Sequence, residues 1–211
     1  MRRLLFLVPA LAAVLFALGL VRNNSTSFSL KDPKSVNSIR FTLDGRIEQF
    51  SGMTSGIAGD FTFDPEDVAA TRGKVVVQAA SLATNVANMT EYMRGTLWLD
   101  TDKYPTIEFE IKKIEGVRPV EAKDRTWTMS VTGDFTLHGV TKSITIPVRL
   151  THLPGELKQR NRGAGDLIVL RSKFKIKRSD YGVKGNQPFD VVSDIVEIEF
   201  SIGAFARAPT E

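Results

Sequence analysis

Apolar and polar residues alternate with period two over most of the chain beyond Ser29. From Thr126 to Leu137, the residues Trp127, Met129, Val131, Phe135 and Leu137 share one face with Gly133, while Thr126, Thr128, Ser130, Thr132, Asp134 and Thr136 occupy the other. Successive side chains of an extended strand point to opposite faces, so the segment reads as a strand with one buried face. The alternation recurs at Ile39, Phe41, Leu43; at Ile57, Gly59, Phe61, Phe63; at Val75, Val77, Ala79; and at Ile107, Phe109, Ile111. It continues at Ile144, Ile146, Val148, Leu150; at Ile168, Leu170, Phe174, Ile176; and at Val196, Ile198, Phe200, Ile202. That predicts eight strands, separated by turn signals at Asp44-Gly45, Asp64-Pro65, Gly116, His138-Gly139, Pro154-Gly155 and Tyr181 to Pro188. Connections of this kind suit antiparallel neighbours.

One stretch has helical character. Asn88 and Glu91 have capping-box spacing ahead of Met89, Tyr92, Met93 and Trp98, which predicts a short helix or lid between the third and fourth strands, ending near Gly95. Eight strands with one apolar face each form either a sandwich or a closed barrel, and closure leaves no exposed edge. The barrel is the expected solution. An outer-membrane barrel shows the same alternation with the apolar face outward. Against it, Phe41, Phe61, Phe109, Phe135 and Phe200 lie in strand bodies and not in girdles at the strand ends.

Ahead of the strands, Arg2 and Arg3 precede an uncharged apolar run, Leu4 to Val21, and then a polar stretch from Asn23 to Ser27. This reads as an export signal, either a cleaved signal peptide or a retained anchor, and in both cases the remainder is sent to the periplasm or beyond. The expected organisation is residues 1–21 as signal or anchor, 22–29 as linker and 30–207 as the barrel domain. With two arginines and no acid in residues 1–21, the exported part holds 26 basic and 24 acidic residues, so it carries no nucleic-acid footprint. The chain has no cysteine and two histidines, which removes thiolate chemistry, Cys-based metal sites and disulfides and leaves no ligand set for a metal. No nucleophile elbow, phosphate-cradling loop or zinc-protease helix occurs, so neither an enzyme nor a cofactor is expected.

Four stretches carry a family resemblance: Phe61 to Pro65; Leu99-Asp100 with Lys103 to Phe109; Gly133 to Lys142; and Arg178 to Val183. In this order and spacing they resemble the YceI-like, polyisoprenoid-binding family, over roughly Ser27 to Ala206. The resemblance implies an extended lipocalin-like antiparallel barrel whose apolar channel holds an isoprenoid chain. Where the family commonly has a His before the Met-Arg-Gly triplet, this chain has Tyr92 ahead of Met93-Arg94-Gly95.

The expected channel wall is Phe41, Phe61, Phe63, Phe109, Trp127, Met129, Val131, Phe135, Ile144, Ile146, Ile198 and Phe200; from the alternation alone the same residues would equally make a solid core. Tyr92, Met93, Arg94, Arg178, Asp180 and Tyr181 are candidates for a lid or a polar end, where an arginine or a tyrosine hydroxyl meets a phosphate or quinone. The plainer reading has Arg178 and Asp180 bracing the turn before Gly182. Arg171, Lys173, Lys175 and Lys177 form a comb on one outward strand face, suited either to anionic lipid head groups or to pairing with Glu197 and Glu199. His138 and His152 read as turn and loop residues. The functional expectation is an exported carrier of an isoprenoid lipid, a prenyl phosphate or prenylated quinone. Contact with a membrane surface and a homodimeric state are left open. The alternative is a structural or stress-related barrel that acts through protein contacts.

Overall fold

A computed structural model describes residues 25–32, 34–121, 125–160, 163–185 and 188–207; the expected export segment lies outside the described residues. The strands are β1 (Thr26–Ser29), β2 (Ser38–Gly45), β3 (Phe50–Thr54), β4 (Ile57–Phe63), β5 (Arg72–Gln78), β6 (Ala83–Thr84), β7 (Thr106–Pro119), β8 (Thr126–Leu137), β9 (Val140–Leu153), β10 (Gly165–Lys177) and β11 (Val192–Arg207). One helix, α1 (Ala87–Arg94), lies between β6 and β7. Antiparallel pairing runs β1–β4–β5–β7–β8–β9–β10–β11, and β11 returns to β1 where Ser29 faces Phe205, which closes an eight-stranded barrel. The segments β2, β3 and β6 extend the wall at one end, with β2 continuing along the β11 edge from Ser38 opposite Ser201 to Leu43 opposite Val196.

All eight expected strands are present, as β2, β4, β5 and β7 to β11. Three departures have physical reasons. The expected linker contains β1: Phe28 is completely buried because Thr26–Ser29 pairs with Asp60–Phe63 and so completes the ring. Gly116 is not a turn; its φ of +62° is taken up inside β7, where the register against β8 shifts between Glu115 and Arg118, so the strand runs on to Pro119. The capping box is also absent. Asn88 lies inside α1, the N-cap is Val86, and the first turn is held by Thr90, whose hydroxyl donates to the Val86 carbonyl at 3.3 Å and accepts from the Thr84 N–H at 2.9 Å. At the other end the Gly95 N–H donates to the Glu91 and Tyr92 carbonyls. Where β8 meets β9, His138 and Gly139 have φ of +52° and +75°, the conformation of a two-residue hairpin turn whose twist matches its strands.

The seam of the ring is completed by a side chain. Between the β1 and β2 contacts with β11, the buried Asn37 accepts from the Gly203 N–H at 2.7 Å. Its amide nitrogen donates to the Gly203 carbonyl at 2.8 Å and to the Leu30 carbonyl at 3.1 Å. The Asn37 amide thus makes the paired bonds that a strand residue would otherwise supply. Below it, Asp32 accepts from the N–H groups of Lys34, Val36 and Asn37 and pairs with Arg160 at 3.1 Å.

The sign of the alternation is apolar inward. Met129, Val131, Phe135 and Leu137 of β8 are buried, while outward threonines pair across the β8–β9 ladder, Thr132 with Thr145 and Thr136 with Thr141, each at 2.8 Å. The outer-membrane arrangement has the reverse sign. On the outer face Lys173 lies 2.6 Å and Lys175 3.9 Å from Glu197, so the central part of the basic comb is engaged by the last strand.

Candidate functional site: an apolar cavity inside the barrel

The interior is not filled. A cavity of about 590 Å³ runs inside the wall, within the range of small-ligand sites. Its middle is lined by inward residues of β7, β8 and β9, including Phe109, Ile114, Met129, Val131, Ile146 and Val148. Its upper part is framed by Phe41 and Leu43 of β2, Phe50 of β3, Leu82 and Thr84, and by Met89, Tyr92 and Met93 of α1. Tyr92 touches the cavity and is 67% exposed, so the space reaches solvent beside the helix. The lining is mostly hydrocarbon and aromatic, which favours a long apolar guest; its charged members are the Lys74–Glu108 ion pair and Arg178. Among the described residues no group of three or more His, Cys, Asp or Glu could hold a metal ion.

Nine of the twelve expected wall residues line this space: Phe41, Phe61, Phe109, Met129, Val131, Phe135, Ile146, Ile198 and Phe200. The other three do not. Phe63 and Trp127 lie beyond the lower end, ring to ring at 6.1 Å, and Ile144 packs against the core. Parity along a strand gives the face a residue points to, but not its height in the barrel. Phe50, Leu82 and Val192 also line the cavity without having been expected; Phe50 sits on β3, which is too short and glycine-broken to show an alternation.

The polar candidates separate as clearly. Arg178 is 2% exposed and borders the cavity. Its Nε donates to the Ser193 carbonyl at 3.0 Å, Nη2 to Val192 at 2.9 Å, and Nη1 to Val183 at 3.1 Å and also to Lys184. The rings of Trp98 and Phe189 flank the guanidinium at 4.8 and 4.6 Å. Burial lowers its pKa from the ordinary value, against the opposing charge of Asp194. A fork with four of its five N–H groups already bonded cannot grip a phosphate with two parallel bonds; it is a bolt that ties β10, β11 and the loop between them. Tyr92 and Met93 line the cavity, whereas Arg94, Asp180 and Tyr181 do not. Arg94 Nε donates to the Leu82 carbonyl at 3.0 Å and holds α1 to the wall. Asp180 pairs outward with Lys142 at 3.3 Å. Tyr181 is buried edge-on against Phe135 at 5.4 Å, and burial, with Asp180 nearby, raises its hydroxyl pKa.

Of the histidines, His138 is the turn residue expected, with Nδ1 3.2 Å from the Tyr181 carbonyl oxygen. His152 is not in a loop. It ends β9 at 5% exposure, with Nε2 3.1 Å from Asp166, because β9 runs to Leu153 before the Pro154-Gly155 turn.

Fold and site together define a closed antiparallel β-barrel with an apolar internal cavity. Residues 30–204 match the YceI-like domain, and the chain belongs to that family. A UPF0312 protein of Vibrio parahaemolyticus is 38% identical over 104 residues, 49% of this chain and 48% of that protein. Protein YceI of Escherichia coli O157:H7 is 32% identical over 133 residues, 63% of each chain. The chain thus spans about half to just under two thirds of these relatives. Among solved structures, BcnA of Burkholderia cenocepacia superposes with a TM-score of 0.65 at 20% identity, over 79% of this chain and 95% of that one. A polyisoprenoid binding domain from Saccharophagus degradans gives 0.62 at 16% identity, over 86% and 99%. At these identities the superpositions speak for the fold.

Proposed function

We propose that this protein is an exported carrier that shields an isoprenoid lipid from water. The observation that carries the reading is the apolar cavity that reaches solvent beside Tyr92. Each CH₂ taken from water contributes about 0.8 kcal/mol, so a five-carbon isoprene unit contributes on the order of 4 kcal/mol before the ordering of the chain is subtracted. A few units suffice for tight binding without strong polar contacts. Family membership supports the reading, as does the similarity in fold to a domain described as polyisoprenoid binding. The ligand's polar head belongs at the upper end, near Tyr92 and the Trp98–Arg178 stack. There a prenylated quinone or a prenyl phosphate finds a positive field and at most one free guanidinium N–H, a setting that suits a single acceptor oxygen better than a two-point phosphate clamp. Binding and release complete the cycle, with α1 and its two methionines as the adaptable rim.

The test is organic extraction of protein purified from its native host, followed by mass spectrometry. A prenyl chain at near-stoichiometric amount is the expected result. Repeated extraction of protein free of any lipid overturns the carrier reading in favour of a barrel that works through protein contacts. N-terminal sequencing of the same material distinguishes a cleaved signal from a retained anchor in residues 1–21.

A further inference from the structure

At its lower end the cavity stops abruptly on aromatic rings. Phe61 is the last ring that touches the open space, and Phe28 is stacked on it, centroids 5.7 Å apart and planes 13° from parallel. Phe63 meets Phe28 edge-on at 6.1 Å and Trp127 at 6.1 Å. The His152 ring closes the layer against Phe28 at 6.1 Å and Phe63 at 5.2 Å. His152 is itself tied down: Asp166 holds its Nε2 through one carboxylate oxygen and accepts from the Gly155 N–H at 2.9 Å through the other. Phe28 comes from β1, Phe61 and Phe63 from β4, and His152 from β9, so the layer is fastened to three strands of the ring.

The geometry points to a length stop: the layer Phe61–Phe28–Phe63 sets the longest isoprenoid chain the cavity can bury, and with it the chain length at which affinity stops rising. This deepens the carrier reading and rests on it. A chain that enters beside Tyr92 advances until its end meets Phe61. Up to that point each isoprene unit adds burial; beyond it, further units stay in water and add none. A void of ~150 Å³ left by trimming a buried apolar side chain is large enough to take up benzene, six carbons against the five of an isoprene unit. Removing the Phe61 ring therefore lengthens the usable channel by about one unit. Trp127, which the alternation places on the wall, belongs instead to the backing of the stop.

The experiment offers delipidated protein an equimolar ladder of linear all-trans prenols, each one isoprene unit longer than the last, and reads the bound population by native mass spectrometry. The wild type is expected to show binding that rises with each added unit and levels off at a limiting chain length. Phe61→Ala moves that limit up by about one unit, and Phe61→Leu moves it the same way by less while keeping the site filled for folding. Ile47→Ala, on the exposed surface and outside the cavity lining, leaves the limit in place. A ladder profile unchanged in a folded Phe61→Ala or Phe61→Leu protein overturns the length stop while leaving the carrier reading intact. A wild type that takes up none of the prenols overturns both.

Discussion

Val131→Phe separates a hollow barrel from a packed one by the sign of a stability change. Val131 lines the cavity from the middle of β8 and faces Ile146 across the β8–β9 ladder. In a close-packed interior the added carbons would force neighbours off their rotamers at about 1–3 kcal/mol. For a protein of this size that corresponds to a fall in Tm of roughly 2–12 °C, at about 2–4 °C per kcal/mol. In a hollow the new ring occupies empty space and removes apolar surface from water. At about 0.8 kcal/mol per carbon its gain is bounded near 3 kcal/mol, from which the immobilised ring's entropy must be subtracted. The expected result is a Tm unchanged or raised by a few degrees in protein stripped of lipid, together with loss of prenol uptake. Stripping matters, because a ligand at a hundred times its Kd adds about 2.7 kcal/mol to the wild type alone and would reverse the comparison. Thermal unfolding followed by circular dichroism gives the first quantity and native mass spectrometry the second. A Tm lowered by more than about 5 °C would refute the hollow interior on the scale just used.

Three further outcomes follow from contacts already described. Arg178→Lys keeps the charge but cannot serve four carbonyls from one ammonium, so it should destabilise by about 2–4 kcal/mol in urea unfolding; equal stability would show that the fork is dispensable. Gly133→Ala sets a Cβ against the Glu110 carbonyl oxygen and 2.6 Å from the Phe109 ring, and the strained strand and displaced ring should cost about 1–3 kcal/mol in thermal unfolding and narrow the cavity. Burial pushes the Asp32 pKa up, but the N–H groups of Lys34, Val36 and Asn37 and the Arg160 charge outweigh it, and the net shift is below the ordinary 3.8. A lowered carboxyl pKa gives stability that is present above the unfolded value and lost as pH falls through the folded one. Asp32→Asn should therefore be less stable than wild type at neutral pH, and the gap should close below about pH 3.8 in a pH series of denaturation midpoints; a gap independent of pH would contradict this.

The strands that can be read from the sequence are those long enough for alternation to repeat, such as Thr126–Leu137, where five apolar side chains mark one face. β1 escapes because Thr26-Ser27-Phe28-Ser29 offers a single apolar residue; its place is dictated by β4 and β11, partners distant in the chain. The site shows the same division. Periodicity identifies Phe61, Phe63 and Trp127 as inward, yet whether such a ring lines a cavity or seals its end depends on strand stagger, which local pattern does not encode. Arg178 looks from the sequence like a surface turn residue because the carbonyls it serves belong to residues 183–193, brought to it by the fold. His152 reads as a loop residue because the punctuation at Pro154-Gly155 lies close by, and only the pairing of β9 with β10 opposite Ile168 shows that it is interior.

The join between the first and last strands gives this barrel a way to age. Hydrolysis of the Asn37 amide, with loss of ammonia, would leave a carboxylate that still accepts from the Gly203 N–H but turns negative oxygen toward the Leu30 and Gly203 carbonyls. Two attractions would become repulsions at a point where the ring depends on a side chain for its closure. The lifetime of the closed ring would then depend on the chemistry of a single nitrogen atom as well as on ordinary unfolding.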